Sequence, residues 1–458
     1  MEQQLQATSR SPLAELLVLA LPTVAQMASY TVIQFTDTYM LSRLGELEAT
    51  AAGNASFFGF ALISLGFGTM WVVNTLVSQA FGRGDNRACG EHLWAGVWLG
   101  VAYGVLLLPV CLLADEIFNL LPHEADLAKA EADYLAIVLS FTALRLVAAA
   151  AGQFLLAVDR ANLTLLAAFV GAGVNVLANY VLIYGHFGFP AMGVAGAAWG
   201  ANIGAGVELL VLIVCCALPS ICSTYGVCNW RPRWKRLRTL IKVGLPSGGQ
   251  MLGDVTAWTA FSLWVMAPFG TQAMAANTFL MRFMSMSFLP VFGLSAGVTA
   301  LVGRYIGRGQ PDVACQRAAL GFKLAAAFML TCGLCFLFFG GAMIGLFTDD
   351  PEVRRMGTLL MKFAAAYQLF DALYIIYVGA LRGAGDTFWP AVATAGLCWL
   401  MVVGVAGVLA YGVPELGIAG PWISASVYGV LLGLFMWLRF KAGGWRSIQL
   451  DAEPAKVV

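Results

Sequence analysis

Charge is scarce in this chain. Of 458 residues only 11% are Asp, Glu, Lys or Arg, against 60% hydrophobic, and the mean hydropathy is +0.79. A soluble domain carries roughly a quarter charged residues, so most of this surface does not face water. The charge is also balanced, 26 basic against 25 acidic for a net +1, which excludes a global polyanion-binding role. Histidine occurs only as His92, His123 and His186. All three lie near the ends of apolar runs without a metal or nucleophile motif, so an intramembrane enzyme has no support and no cofactor is expected. Gly82-Arg83-Gly84 lacks the preceding strand and following Lys-Ser/Thr of a phosphate loop. No cleavable signal is expected, because Leu13 to Met40 is too long for a signal core. The ten cysteines stand singly or inside apolar runs; even Cys332 and Cys335, a CxxC, read as small hydrophobes within a helix.

Long apolar stretches fill the rest. The twenty-residue criterion for crossing a bilayer gives twelve spans, at 14–41, 49–79, 93–118, 128–157, 162–185, 192–218, 238–266, 272–302, 317–346, 355–380, 388–411 and 416–439. The expected fold is an all-α integral membrane protein, with twelve transmembrane helices in two six-helix lobes related by pseudo-twofold symmetry. The lobes are expected at 1–221 and 238–446, with a cytoplasmic linker at 222–237 and a cytoplasmic tail at 447–458.

The two halves repeat at an offset of about 225 residues. Leu21-Pro22-Thr23 with Gln26 returns as Leu245-Pro246-Ser247 with Gln250. Gly82-Arg83-Gly84 with Ala88-Cys89 returns as Gly307-Arg308-Gly309 with Ala314-Cys315. Gly193-Val194-Ala195-Gly196 with Trp199 returns as Gly417-Ile418-Ala419-Gly420 with Trp422. Six spans per half make the repeats parallel, with a cavity expected on their shared axis, which is transporter architecture. Pro22 and Pro246 are repeat mates; they give either a shared shape for packing or paired hinges for alternating access.

Lys and Arg set the orientation. One set of loops holds Arg83, Arg87, Arg160, Arg231, Arg233, Lys235, Arg236, Arg304, Arg308 and Arg382, joined by Arg10, Lys441 and Arg446 of the terminal segments. The opposite loops are acidic, with Glu46, Glu48, Asp115, Glu116, Glu124, Asp126, Asp349, Asp350 and Glu415. Both termini are therefore expected to be cytoplasmic.

A charge at mid-membrane costs several kcal/mol, so each must face a cavity or a partner. Asp37, Asp254, Asp371, Arg145, Arg282 and Glu208 fall inside spans. Glu131, Asp133, Lys323 and Lys362 sit near span ends, where snorkelling accounts for them. The repeat mates of Asp37 and Asp254 are uncharged, and Arg145 aligns with Asp371. Charge is thus not part of the duplicated scaffold, as expected of ligand and ion sites. Asp254 and Asp371 are in position to share one cavity, and two nearby carboxylates in low dielectric require a proton, metal ion or organic cation. Arg282 is the competing structural partner for one of them.

Trp258 and Phe261 follow Asp254 by four and seven residues, while Tyr367 and Tyr374 flank Asp371 by four and three, intervals that share a helix face. A negative, aromatic cavity suits lipophilic cations. Met281, Met284 and Met286 add a deformable wall. In the first lobe Asp37 is in position to meet Asn175 and Asn179, at i and i+4, as a hard-oxygen cage for Na⁺ or a proton site; interhelical polar contact is the alternative for the asparagines. Glu208 has no obvious partner.

Phe35-Thr36-Asp37-Thr38, Gly244-Leu245-Pro246 followed by an acid, and Tyr367-Gln368-Leu369-Phe370-Asp371 followed by Leu381-Arg382-Gly383 resemble the multidrug and toxic compound extrusion (MATE) family, with an acidic second lobe like its NorM-like branch. The resemblance covers nearly the whole chain. It implies export of cationic drugs in exchange for inward Na⁺ or H⁺ at a bacterial inner membrane. Asp37, Asp254 and Asp371 fall on the family's essential carboxylate positions, and Asn175 and Asn179 on its polar first-lobe positions. The branch usually has Glu where this chain has Asp254, and an uncharged polar residue where it has Arg282, which counts against a simple Na⁺ site there. A monomer is expected, since duplication makes the cavity within one chain. A flippase for a lipid-linked precursor is the alternative of the same architecture; Arg145 and Arg282 would have to hold its pyrophosphate, against the surplus of acids.

Overall fold

The computed structural model describes residues 11–120 and 123–450. Arg10 and residues 451–458 of the expected tail lie outside them. Among the described residues there is no strand.

The helices are α1 (Pro12–Ser42), α2 (Glu46–Arg83), α3 (Asn86–Leu112), α4 (Ala125–Ser140 and Thr142–Ala157), α5 (Ala161–Tyr184), α6 (Gly193–Ala217), α7 (Trp234–Ala260), α8 (Gly270–Gly307), α9 (Pro311–Ile344), α10 (Pro351–Ala384), α11 (Phe388–Leu397, continued through Ala406–Gly412) and α12 (Ala419–Ala442). α4 bends by 47° between its parts. The continuous stretch Trp234–Gly307 holds both α7 and α8, which meet at a short turn over Ala267–Phe269. With that stretch divided and α4 taken as one span, the helices long and apolar enough to cross a membrane reach the expected twelve.

Helices overrun several expected boundaries, because hydropathy marks the bilayer crossing while capping marks where a helix ends. α3 starts at Asn86, seven residues before the expected 93, since the Asp85 side chain accepts from the Ala88 amide at 3.0 Å. It also ends at Leu112 rather than 118, with Ala114–Asn119 forming a separate short helix. The repeated Gly-Arg-Gly is a helix stop. Gly84 and Gly309 take φ of +77° and +71°. Around them Asp85 N donates to Ala80 O and Gln310 N to Tyr305 O, at 3.0 and 2.8 Å. The same left-handed closure thus ends α2 and α8 at repeat-mate positions.

The chain forms two compact units, residues 25–248 and residues 1–24 with 249–458. The division falls inside α1 and α7, two residues after Pro22 and Pro246, rather than at the 222–237 linker. In the first unit the opening of α7 packs on α2, and a Cβ on Gly68 would lie 2.7 Å from Ser247 O. In the second the opening of α1 packs on α8 in the same way: a Cβ on Gly293 would lie 2.7 Å from Val24 N, and Thr23 Oγ1 donates to Gly293 O at 2.7 Å. Gly68 and Gly293 are themselves 225 residues apart. Each exchanged opening also carries an ion-pair clamp. Arg317 Nε and the Tyr305 hydroxyl hold the buried Glu15 at 2.8 Å each. In the other unit Arg233 and Arg236 hold Glu91, at 2.8 and 3.0 Å.

Two expectations about side chains change. Glu131 does not snorkel: it is fully buried, accepting from Asn54 Nδ2 at 2.7 Å, with His123 Nδ1 also at 2.7 Å. Burial of that depth requires hydrogen-bonding partners rather than access to water. Cys222 and Cys228 are not single cysteines but a disulfide, with their Cα atoms 5.9 Å apart; six residues of helix and turn bring them together.

Candidate functional site

Within residues 25–248 the acid expected in α1 meets one of the two asparagines expected in α5. Asn179 Nδ2 donates to Asp37 Oδ1 at 2.5 Å. Asn175 and Asn179 are buried, at 3% and 0% exposure, and the amide oxygen of each has no hydrogen-bond partner. A carboxylate bonded to one asparagine, with a second buried and unpaired amide oxygen one helical turn away, has the donor types of a hard-cation site.

Glycines on α6 make room for them. A Cβ at Gly200 would overlap the Asn179 amide, and one at Gly204 would lie 2.6 Å from Asn175 Cβ. One turn further, a Cβ at Gly171 of α5 would lie 2.8 Å from Glu208 Cβ of α6. The two helices therefore interlock in three rungs of glycine against polar residue, spaced by four residues on each side.

Glu208 does have a partner. The Tyr30 hydroxyl donates to its Oε1 at 2.8 Å, and Gln26 Nε2 donates to the Tyr30 oxygen at 3.1 Å. Arg145 donates to Asn202 Oδ1 at 3.0 Å, and Asn202 to Ile137 O at 2.7 Å. Arg145 lies within electrostatic range of both Asp37 and Glu208, and its Nε is buried without a hydrogen bond. The spacing of Gly200, Gly204 and Glu208 was visible in sequence. The Tyr30 contact, 178 residues away, had no sequence signal.

Within residues 249–458 Asp254 accepts from the Tyr428 hydroxyl of α12 at 3.2 Å and from the Cys398 thiol of α11 at 3.5 Å. Neither group was expected from sequence. Asp254 and Asp371 lie within electrostatic range of one another, so α7 and α10 bring the two acids to a common region. Tyr374 lies in range of both. Its hydroxyl accepts from Gln250 Nε2 at 3.4 Å, and the same Gln250 nitrogen donates to Thr394 Oγ1 at 3.0 Å. Tyr367 is buried beside Asp371 and donates to Met284 Sδ at 3.2 Å.

The aromatic wall is layered. Trp258 is half-buried with its ring centroid 6.4 Å from Tyr428. Phe261 is fully buried behind it, 5.5 Å from Trp258 and 5.6 Å from Trp422. Met281 is half-buried, whereas Met286 is exposed. Arg282 is exposed and forms an ion pair with neither Asp254 nor Asp371 among the described residues. Its position on α8 therefore leaves both carboxylates without the structural cation that sequence allowed.

The region around Asp254 sits where the helix ladder is irregular. α7 passes into a π-helical turn at Phe261–Val265, seven residues beyond Asp254, and α11 is π-helical over Cys398–Val405, beginning at the thiol donor itself. Such turns re-aim side chains and recur at functional sites.

The MatE family model matches residues 22–181 and 250–406, once in each half of the repeat. Two relatives, each named "Probable multidrug resistance protein NorM", align over nearly the whole chain. The one from Rhizobium meliloti is 30% identical, covering 91% of this chain and 90% of the relative. That from Thermotoga maritima is 26% identical, covering 94% and 93%. Among solved structures, an outward-facing multidrug resistance MATE family transporter of the MOP superfamily superposes with a TM-score of 0.86 at 19% identity, covering 97% of this chain and 98% of the other. A MATE protein in its bent conformation gives 0.84 at 20%, covering 96% and 98%. The duplicated helices, the two acid clusters and these matches lead to one assignment: the chain is a multi-pass membrane protein belonging to the MatE family.

Proposed function

We propose that this protein is a secondary-active efflux antiporter, exporting lipophilic organic cations in exchange for inward Na⁺ or H⁺ by alternating access. The supporting observation is the pair Asp254 and Asp371, two acids in one electrostatic environment with no basic side chain in an ion pair with either among the described residues. Such a pair stays desolvated at low cost only by taking up a cation. A drug cation and a coupling ion that compete for it are thermodynamically linked, so loading one favours release of the other. Trp258, Tyr367, Tyr374 and Tyr428 supply ring faces and hydroxyls around the acids, chemistry that favours flat, apolar cations. Asp37, Asn175 and Asn179 form the second candidate coupling site.

The names of the relatives agree with multidrug export. In this reading the protein lies in a bacterial inner membrane as a monomer with both termini cytoplasmic, and Pro22 and Pro246 are hinges at which α1 and α7 pass from one compact unit to the other. The lipid-precursor alternative needs free cationic side chains in the cavity. Arg145 is already engaged by Asn202, which leaves Arg282 alone for a pyrophosphate.

The test is ethidium transport by purified protein in proteoliposomes, with Na⁺ and pH gradients imposed separately. Accumulation driven by either gradient supports antiport. Indifference to both refutes it.

A further inference from the structure

The α5–α6 interlock places a second carboxylate in register with the Asp37 cluster. Asn179, Asn175 and Gly171 descend α5 at four-residue steps, opposite Gly200, Gly204 and Glu208 of α6. Asn179 carries the hydrogen bond to Asp37 at one end of this line, and Glu208 stands at the other, eight residues or about 12 Å along the helix. Between them lies Asn175, 3% exposed and with its amide oxygen lacking any hydrogen bond. A buried amide oxygen left unpaired in an apolar helix pair is costly unless something transient satisfies it.

The charges along this line do not cancel. Arg145 from α4 is the cation in electrostatic range of Glu208, Tyr30 from α1 is the other titratable group facing it, and Arg145 also faces Asp37. Two carboxylates against one guanidinium leave one negative charge, enough for one monovalent cation shared between two positions. Tyr30 and Gln26 make the far position a formed site, since the hydroxyl that donates to Glu208 is itself fixed by the amide. Glu208 and Tyr30 are half-buried.

We propose that Glu208, held by Tyr30, is a second station for the coupling cation, and that Asn175 bridges it to Asp37 so that the ion moves along the α5–α6 seam in two steps. The chemistry is that of a small monovalent cation, Na⁺ or a proton. The station rests on the antiport reading above.

The experiment is gradient-driven ethidium transport in proteoliposomes, with the Na⁺ concentration varied at fixed pH in one arm and pH varied at fixed Na⁺ in the other. The half-saturating concentration of the driving cation is read for each variant. Glu208→Gln should raise it about tenfold or more, and Glu208→Asp and Tyr30→Phe about threefold, in whichever arm drives the wild type. A residue that merely holds helices together would lower the maximal rate or the thermal unfolding midpoint and leave the half-saturating concentration where it is; that result overturns the station. Should Glu208→Gln fail to give monodisperse protein, Tyr30→Phe retains the carboxylate and decides alone, an unmoved half-saturation being the overturning result. Wild-type transport that responds to neither cation removes the antiport reading and the station together, whereas a responsive wild type with unaltered variants removes only the station.

Discussion

The hydroxyl of Tyr428 reaches from α12 to the carboxylate of Asp254 on α7 at 3.2 Å. The Cys398 thiol approaches the same Oδ1 from α11 at 3.5 Å. Helices distant in sequence therefore fix one oxygen of the acid that opens the second lobe. Its other oxygen has no hydrogen-bond partner among the described residues and, in the proposed antiport, is the atom that would meet a cation.

If that orientation matters, Tyr428→Phe should impair transport without impairing folding. A hydrogen bond to a charged acceptor contributes about 1.5–3 kcal/mol, so removing the hydroxyl should slow ethidium efflux from intact cells by about tenfold or more. Membrane yield should stay normal, because the ring remains. Efflux at the wild-type rate would mean that Asp254 needs no such positioning.

In the first lobe the contact between Asn179 and Asp37 gives a second expectation. Asp37→Asn removes the charge while keeping the shape, so transport should lose its dependence on the imposed ion gradient. The check is the ratio of ethidium accumulation with and without the gradient in proteoliposomes. A ratio equal to that of the wild type counts against a coupling role for Asp37.

Packing of α5 on α6 should be intolerant at one glycine and tolerant at another. Gly204→Ala puts a methyl 2.6 Å from Asn175 Cβ, whereas a Cβ at Gly173 meets nothing within 4 Å. Overpacking of this kind costs about 1–3 kcal/mol. Gly204→Ala should lower the unfolding midpoint in detergent, and Gly173→Ala should leave it unchanged or raise it slightly. Equal midpoints would show that the two helices are not in this register.

The clamp on Glu15 should be structural. Arg317→Met strips a guanidinium from a carboxylate that is only 5% exposed. Breaking one side of a buried pair costs about 3–5 kcal/mol, here reduced because Tyr305 still donates to Glu15. The expected outcome is a clearly lowered unfolding midpoint, partly restored by Glu15→Gln in the same chain. A midpoint unaffected by Arg317→Met would refute the clamp.

How much of this was readable in the sequence depends on range. The spans followed from apolar length alone, because a bilayer demands about twenty such residues whatever the neighbours are. The repeat followed from local landmarks, and Gly84 and Gly309 had to be glycine because both close their helices at positive φ. Asp37 with Asn179 was within reach, since both lie deep in spans of the same lobe and Asn175 marks the helix face. The Tyr30–Glu208 and Tyr428–Asp254 contacts were not, as nothing local distinguishes a tyrosine that bonds an acid from one that faces lipid. Arg282 misled for the same reason: sequence placed it near the acids by depth, whereas it is exposed and in an ion pair with neither of them among the described residues. The prolines at 22 and 246 were legible as repeat mates, but the exchange of α1 and α7 openings between units depends on close backbone contacts at Gly293 and Gly68.

Competition at Asp371 tests the central claim most directly. Ethidium binding to purified protein is measured by fluorescence while Na⁺ or H⁺ concentration is raised. In the wild type the coupling cation should weaken ethidium binding, and in Asp371→Asn that competition should be lost in a protein of normal yield and unfolding midpoint. A mutant in which the cation displaces ethidium as strongly as in the wild type would contradict the account.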